Sequence, residues 1–215
     1  MHHTTRVAIG AALALTVACS SDDVVNPQPE GTGTLVVKLT DAPFPFDEVE
    51  RVDVFVVRVD AKAATTTEAE ADEGTDDGSA NSNGWTTVSD AGGLIDLMTL
   101  RNGVTANLGQ EALVAGEWKS FRLIIDPAQS SVTLKDGTVL DGGSTPGITF
   151  PSAGRSGIKV MLDEPVAIVE GETTEVLIDF DIEQSFVLKG NTLLQNGLLF
   201  KPVIRASVTE ETEAP

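Results

Sequence analysis

Asp179 and Asp181 are the two residues of this chain best spaced to do chemistry together. On a strand, side chains two apart share a face roughly 6 to 7 Å apart, so the carboxylates would raise one another's pKa unless a cation lay between them. That cation could be calcium, which takes oxygen ligands. It could equally be Lys159, Lys201 or Arg205 on a neighbouring strand, which would make the group a structural ion pair. Ser156-Gly157-Ile158-Lys159 matches the Ser-x-x-Lys pattern of penicillin-interacting serine enzymes, in which lysine deprotonates the nucleophile. Here the pattern opens a β-rich run, where residues three apart point to opposite faces, and the partner motifs Ser-Asp-Asn and Lys-Thr-Gly are absent. A tight turn leading into a structural strand is the expectation.

The missing residue types exclude more. The only histidines are His2 and His3, the only cysteine is Cys19, and tyrosine does not occur. Once the N-terminus is set apart, no imidazole or thiol remains, which excludes Ser-His-Asp and Cys-His catalysis, thiol redox chemistry and zinc held by nitrogen and sulfur. Asp41, Asp96 and Asp126 fall at strand ends, where Asp caps turns. An EF-hand placed with Gly78 sixth has Glu73 first and Gly84, not Glu, twelfth, so it fails. A glycosidase has only Trp85 and Trp118 to stack on sugar, and Trp118, alternating with Ser120, Arg122 and Ile124, reads as a core residue. Phosphate-cradling loops and dinucleotide fingerprints are absent. The chain is read as no enzyme, with no catalytic residue and no cofactor, calcium being the one ion considered.

The 215 residues suffice for one domain with a real core. With 14 Lys plus Arg against 33 Asp plus Glu, the formal net charge is -19, which would repel nucleic acid over most approach directions.

The N-terminus reads as an address. Residues 1–18 carry Arg6 and then an apolar run from Val7 to Ala18, about 12 residues, too short to span a bilayer and suited to a signal peptide. Leu15-Thr16-Val17-Ala18-Cys19 resembles the bacterial lipobox, in which the cysteine is acylated and becomes the new N-terminus; Thr16 stands where an aliphatic residue is usual. The resemblance implies that Cys19 is the lipidation site and its acyl chains the membrane contact, the alternative being an ordinary secretory signal cut near Ala18 that leaves Cys19 unpaired. Residues 19–32, polar and broken by Pro27 and Pro29, form a tether. Ser20 resembles the residue that sends lipoproteins to the outer membrane, and Ser20-Ser21-Asp22-Asp23 is similar to acidic surface-export signals. The expected location is the outer membrane, facing periplasm or cell surface.

The elements that must position these residues are strands. From Gly33 the dominant period is two, which points to an all-β, two-sheet antiparallel β-sandwich of immunoglobulin-like or transthyretin-like kind over 33–208. Strands are expected at 33–40, 49–61, 85–88, 94–97, 117–126, 131–135, 138–140, 157–162, 166–169, 173–182, 185–188 and 198–208. Asp136-Gly137 predicts a hairpin turn. Val176, Ile178, Phe180 and Ile182 share the expected core face, and Pro202 predicts an edge strand or a bulge. Asp96 to Arg101 is the one helical turn, stopped by Asn102-Gly103. The acidic stretch 65–84 has no apolar side chain larger than Ala and is expected to be a disordered insertion; 209–215 is a frayed tail.

Leu39-Thr40-Asp41-Ala42-Pro43, Asp96-Leu97 with Leu100-Arg101-Asn102-Gly103, Ala115-Gly116-Glu117-Trp118 running into Arg122-Leu123, Pro151-Ser152 with Ser156-Gly157-Ile158-Lys159, Asp179-Phe180-Asp181 with Ser185, and Lys201-Pro202-Val203-Ile204-Arg205 form an ordered set. Together they resemble the bacterial lipoprotein family known as domain of unknown function 4382, over about Gly33 to Val208. Trp118 stands where that family more often has tyrosine, and 65–84 looks like an insertion between two family strands. The resemblance implies an exported, usually lipid-anchored β-sandwich with no established activity.

The expected function is a non-enzymatic binding module that recognises a glycan, a matrix component or another envelope protein through loops at one end. The rival is a carboxylate-dependent hydrolase of envelope polysaccharide that uses Asp179 or Asp181, with calcium assistance as an option. A third reading is a purely structural envelope spacer.

Overall fold

A computed structural model describes residues 31–41, 46–64, 79–81, 84–90, 92–151 and 156–209. The expected signal peptide, most of the tether, most of the acidic insertion and the tail beyond Thr209, which ends a strand, lie outside the described residues, as does Cys19.

Alternation builds the first sheet. In β1 (Thr32–Asp41) the residues Leu35, Val37 and Leu39 are buried while their neighbours are half-buried, and β11 (Thr173–Phe180) repeats the pattern with Val176, Ile178 and Phe180. The order is β14 (Ile204–Thr209), β11, β1, β5 (Ala106–Val114). β1 runs parallel to β11 and the other two pairings are antiparallel. Lys38 and Glu175 form an ion pair on the outer face.

The second sheet is organised by the long β2 (Val49–Ala63). One side of it pairs with β6 (Gly116–Ile125) and then β7 (Ser131–Leu134); the other side pairs with β3 (Trp85–Ser89) and then β4 (Gly93–Asp96). Beyond them lie β10 (Ile158–Ile168) on β6 and β8 (Val139–Asp141) on β7. Val59 and Ala61 of β2 with Phe121 and Leu123 of β6 join Leu35, Val37, Val176 and Ile178 in one apolar core between the sheets. The all-β sandwich expected from the periodicity is the observed class.

A third, small sheet follows the order β12 (Phe186–Leu188), β13 (Leu198–Phe200), β9 (Ile148–Thr149). Its inner face is aromatic: Phe200 meets Phe150, Phe180 and Phe186 with ring centroids 5.2, 6.0 and 5.0 Å away. Two short helices, α1 (Ile182–Ser185) and α2 (Leu193–Asn196), frame it.

Local chemistry explains several boundaries. Gly137, at φ 86°, makes the β7–β8 turn, and Asp136 accepts from the Thr138 amide. Asn102 and Gly103, at φ 60° and 82°, end the 3₁₀ turn Leu97–Thr99. The single strand expected at 198–208 is two strands, because Pro202 cannot donate to a ladder; β13 joins the third sheet and β14 forms an edge of the first. The two strands expected at 157–162 and 166–169 are one, β10, whose register against β6 shifts between Met161 and Val166. β5 was not expected: among its nine residues only Leu113 is buried, so it is held by pairing with β1 rather than marked by its own pattern.

The registers also fix which loops share an end. Ala115 donates to the Gly31 carbonyl and Ala64 to that of Glu117, and Gly116 pairs with Ile168. The start of β1, the β5–β6 and β10–β11 turns and both flanks of the acidic insertion therefore gather at one end. The third sheet lies at the other, near Asp41 and Phe180, about 30 Å away along β1 at 3.3 Å per residue.

Candidate functional site

The carboxylates singled out by spacing are used separately. Asp181 caps α1: its Oδ1 accepts from the Gln184 amide at 3.0 Å, and Gln184 Nε2 donates to Oδ2. Asp179 stands on β11 opposite Arg205 of β14. Burial pushes its carboxyl above the ordinary carboxylate range, Asp181 pushes it further, and Arg205 pulls it back. Of the three cations expected near the pair, the register brings Arg205. Among the described residues no group of three or more His, Cys, Asp and Glu side chains is arranged to hold a metal ion.

The strand-end aspartates act as turn caps. Asp126 accepts from the Ala128 amide at 2.8 Å and from the Gln129 side chain at 2.7 Å, which holds its carboxyl below the usual range. Asp96 caps the 3₁₀ turn through Met98 N at 3.1 Å, and Arg51 Nε lies 3.7 Å from its other oxygen. Arg51 also bonds Asp53 at 2.6 Å, and that bond raises its already high pKa. Asp41 ends β1 and is buried. Ser156 lies in a turn, Gly157 takes φ +75°, and Lys159 emerges on the exposed side of β10, the turn-then-strand arrangement expected of that motif. Glu73 and Gly78 lie outside the described residues.

Trp118 is a core residue, but not on the face that simple alternation gives it. Between Ser120, paired with Lys62, and Trp118, paired with Ala63, β6 takes two steps to one of β2. This bulge at Lys119 turns Trp118 inward, away from Arg122, and its indole donates to the Val114 carbonyl at 3.1 Å.

One buried charge cluster among the described residues is not picked out by the sequence reading. Asp60 of β2 and Arg122 of β6 are cross-strand partners, both fully buried, on the face turned away from the core. Arg122 donates to Asp60 Oδ2 through Nε at 2.9 Å and Nη2 at 2.6 Å, and Nη2 also donates to the Ser79 carbonyl. Arg58 reaches both oxygens of the same carboxylate, at 2.8 and 3.1 Å, and Thr87 Oγ1 donates to Oδ1. Trp85 covers the cluster, with the Arg122 guanidinium carbon 4.6 Å from its ring centroid and Lys62 Nζ 5.9 Å away. A signal was present: Arg58, Asp60 and Arg122 interrupt otherwise apolar strand runs, where an unpaired charge would be costly.

Beside Arg58 a half-open cleft of about 240 Å³ lies where β3 leaves β2 and before β4 rejoins it, lined among others by Val57, Ser89, Gly93, Leu94 and Asn107. Its walls combine aliphatic side chains with a few polar ones, the composition of a small binding cleft.

A protein-family model described as Domain of unknown function (DUF4382) matches residues 32–202. No curated protein and no solved structure matches the chain.

Proposed function

The chain belongs to that family, and from this premise we propose that the protein is a lipid-anchored, extracytoplasmic β-sandwich working as a non-enzymatic interaction module of a bacterial envelope. The observation that carries the reading is the polarity of the domain. The chain leaves Cys19 through a polar, proline-broken segment and joins the sandwich at Gly31, at the end formed by the β5–β6 and β10–β11 turns. The opposite end, with the third sheet, the two short helices and the turn at Asp126, is then held away from the anchored membrane. An acyl anchor, a tether and a sandwich offering its far end make a display device.

The use of the carboxylates supports binding over hydrolysis. Asp181 is committed to capping α1, and Asp126 and Asp96 to their turns. Two acids flanking one scissile bond is the arrangement a glycoside hydrolase would need.

The test is production of the full chain in a bacterium that processes lipoproteins, with fatty-acid labelling and fractionation of wild type and Cys19→Ser. Labelled wild type in the membrane fraction, and unlabelled Cys19→Ser released from it, is the expected result. An unlabelled wild type, or a Cys19→Ser protein that stays with the membrane, overturns the anchor. Saturable binding of the wild type to isolated envelope material tests the module, and no binding returns the protein to the role of a spacer.

A further inference from the structure

The chain has 33 Asp plus Glu, yet none falls between Gly142 and Leu162 and none between Gln184 and Thr209. These two acid-free stretches are far apart in sequence and the fold joins them: the first supplies β9 and the second supplies β12 and β13 of the third sheet. The bases they carry include Lys189 and Lys201. The strands of the third sheet are thus built wholly from acid-free chain.

Its outer face is defined by register. Phe186, Leu188, Leu198, Phe200 and Ile148 turn inward or are covered, so the alternate positions Val187, Leu199 and Thr149 turn outward. Val187 is 43% exposed, and nearby Leu194 on α2 is 54% exposed. Lys189 and Lys201, two residues beyond Val187 and Leu199, fall on the same face at opposite corners, and both are exposed. Lys189 Nζ donates to Thr149 Oγ1 at 3.2 Å, which fixes its side chain across that face. Strand geometry puts the two corners on the order of 14 Å apart, with the Val187–Leu199 pair between them. The acids next to it in sequence are Asp141, whose Oδ1 accepts the Gly143 and Ser144 amides, Asp181, engaged by Gln184, and the exposed Glu183.

We propose that the outer face of the third sheet, through Lys189, Lys201 and the Val187–Leu199 stripe, docks an acidic polysaccharide that carries carboxylates along its chain. The proposal rests on the reading of the protein as an envelope interaction module and names the chemistry of its partner. Charge decides the direction of approach: a polyanion is repelled by a body of net charge -19 and attracted at a face whose own strands carry no acid and are flanked by lysines. A polymer with repeated charges can reach both lysines at once, its sugar C–H surfaces lying on the aliphatic pair between them. Asn191, Thr192 and Gln195, all exposed, lie in the segment that joins β12 to β13 and carry amide and hydroxyl groups that suit sugar hydroxyls.

The experiment uses the full-length protein in detergent and immobilised polygalacturonate, with neutral dextran and polyglutamate as comparison probes, at low and physiological salt. The expected result is saturable binding to polygalacturonate, weakened by salt, absent on dextran, and about tenfold or more weaker in the Lys189→Glu, Lys201→Glu double variant. Lys189→Glu alone is expected to weaken binding, whereas Lys135→Glu, the same charge change as that single variant but placed on the β7–β8 hairpin, is expected to bind like wild type. Equal loss in Lys135→Glu means that net charge alone governs binding and overturns the site. Binding to polyglutamate with none to polygalacturonate overturns it in favour of an acidic protein segment. If wild type and the double variant bind isolated envelope material equally, this inference falls and the interaction-module reading stands. If wild type binds no envelope material, that reading fails as well.

Discussion

Asp60 Oδ2 lies 2.6 Å from Arg122 Nη2, and neither side chain is exposed to solvent although both project from the face of their sheet that turns away from the core. The cover is local: Trp85 over the guanidinium, the Ser79 carbonyl bound to it, and Gly157 against the Arg122 side chain. The acidic insertion thus returns to β3 beside a buried ion cluster, so its end is attached to the sheet at a defined place.

Removing one partner of this cluster strands the others. Asp60→Ala leaves Arg122 and Arg58 without their shared carboxylate and is expected to destabilise by about 3 to 5 kcal/mol, read as a lower denaturant midpoint. The double variant Asp60→Leu, Arg122→Met, which removes the two fully buried charges together and leaves only the partly exposed Arg58 without its carboxylate, should recover part of that loss. A double variant as unstable as Asp60→Ala would show that the pair's value is more than mutual neutralisation.

Gly157→Ala tests the cover from the other side. A Cβ there would meet Ile124 Cδ1 at 2.5 Å and Arg122 Cγ at 2.7 Å, on a backbone at φ +75°. The left-handed conformation alone costs about 1 to 2 kcal/mol, and the contact adds to it. A lowered melting temperature together with altered Trp85 fluorescence is the expected outcome; unchanged values would mean that the turn moves freely.

Asp179 gives a pH signature with a definite sign. Its folded-state pKa lies above the ordinary value because of burial first and Asp181 second, so the folded state holds that proton more tightly than the unfolded chain. The ionised group is therefore a burden above the raised pKa and is relieved as pH falls through it. Asp179→Asn should melt higher than wild type at pH 7, and the difference should close below about pH 3.8, the ordinary value. A variant that melts lower at pH 7 would make the Arg205 attraction the larger effect.

The turn-capping aspartates run the opposite way. Hydrogen bonds hold Asp126, Asp136 and Asp141 below 3.8, through Gln129, the Thr138 amide and the Gly143 amide respectively. Their contribution is complete above the ordinary carboxylate value and is lost as pH falls through the lowered ones. Replacing each by Ala should lower the melting temperature at pH 7 and have progressively less effect in acid. An effect independent of pH would assign the loss to turn geometry rather than ionisation.

How far the sequence carries can be seen residue by residue. Val176, Ile178 and Phe180 announced their core face because β11 alternates without interruption, and Asp136-Gly137 announced its turn because Gly137 supplies the one positive φ the turn needs while Asp136 caps it. β5 did not announce itself, since an edge strand held by β1 needs no apolar face of its own. Trp118 was assigned to the right environment by the wrong geometry, because a bulge leaves no mark in a pattern of period two. The spacing of Asp179 and Asp181 marks a real electrostatic neighbour, since Asp181 helps raise the Asp179 carboxyl, but not a shared strand face: the strand ends at Phe180 and Asp181 becomes a helix cap. The Asp60–Arg122 cluster needs cross-strand register, which one sequence does not supply.

The most direct measurement for the account is titration of the purified full-length protein against the polysaccharide fraction of its own host's envelope, with polymer length followed in the same sample. Saturable binding that leaves the polymer length unchanged is the predicted result. Shortening of the polymer that disappears in Asp179→Asn would make the protein a carboxylate-dependent hydrolase and contradict the account.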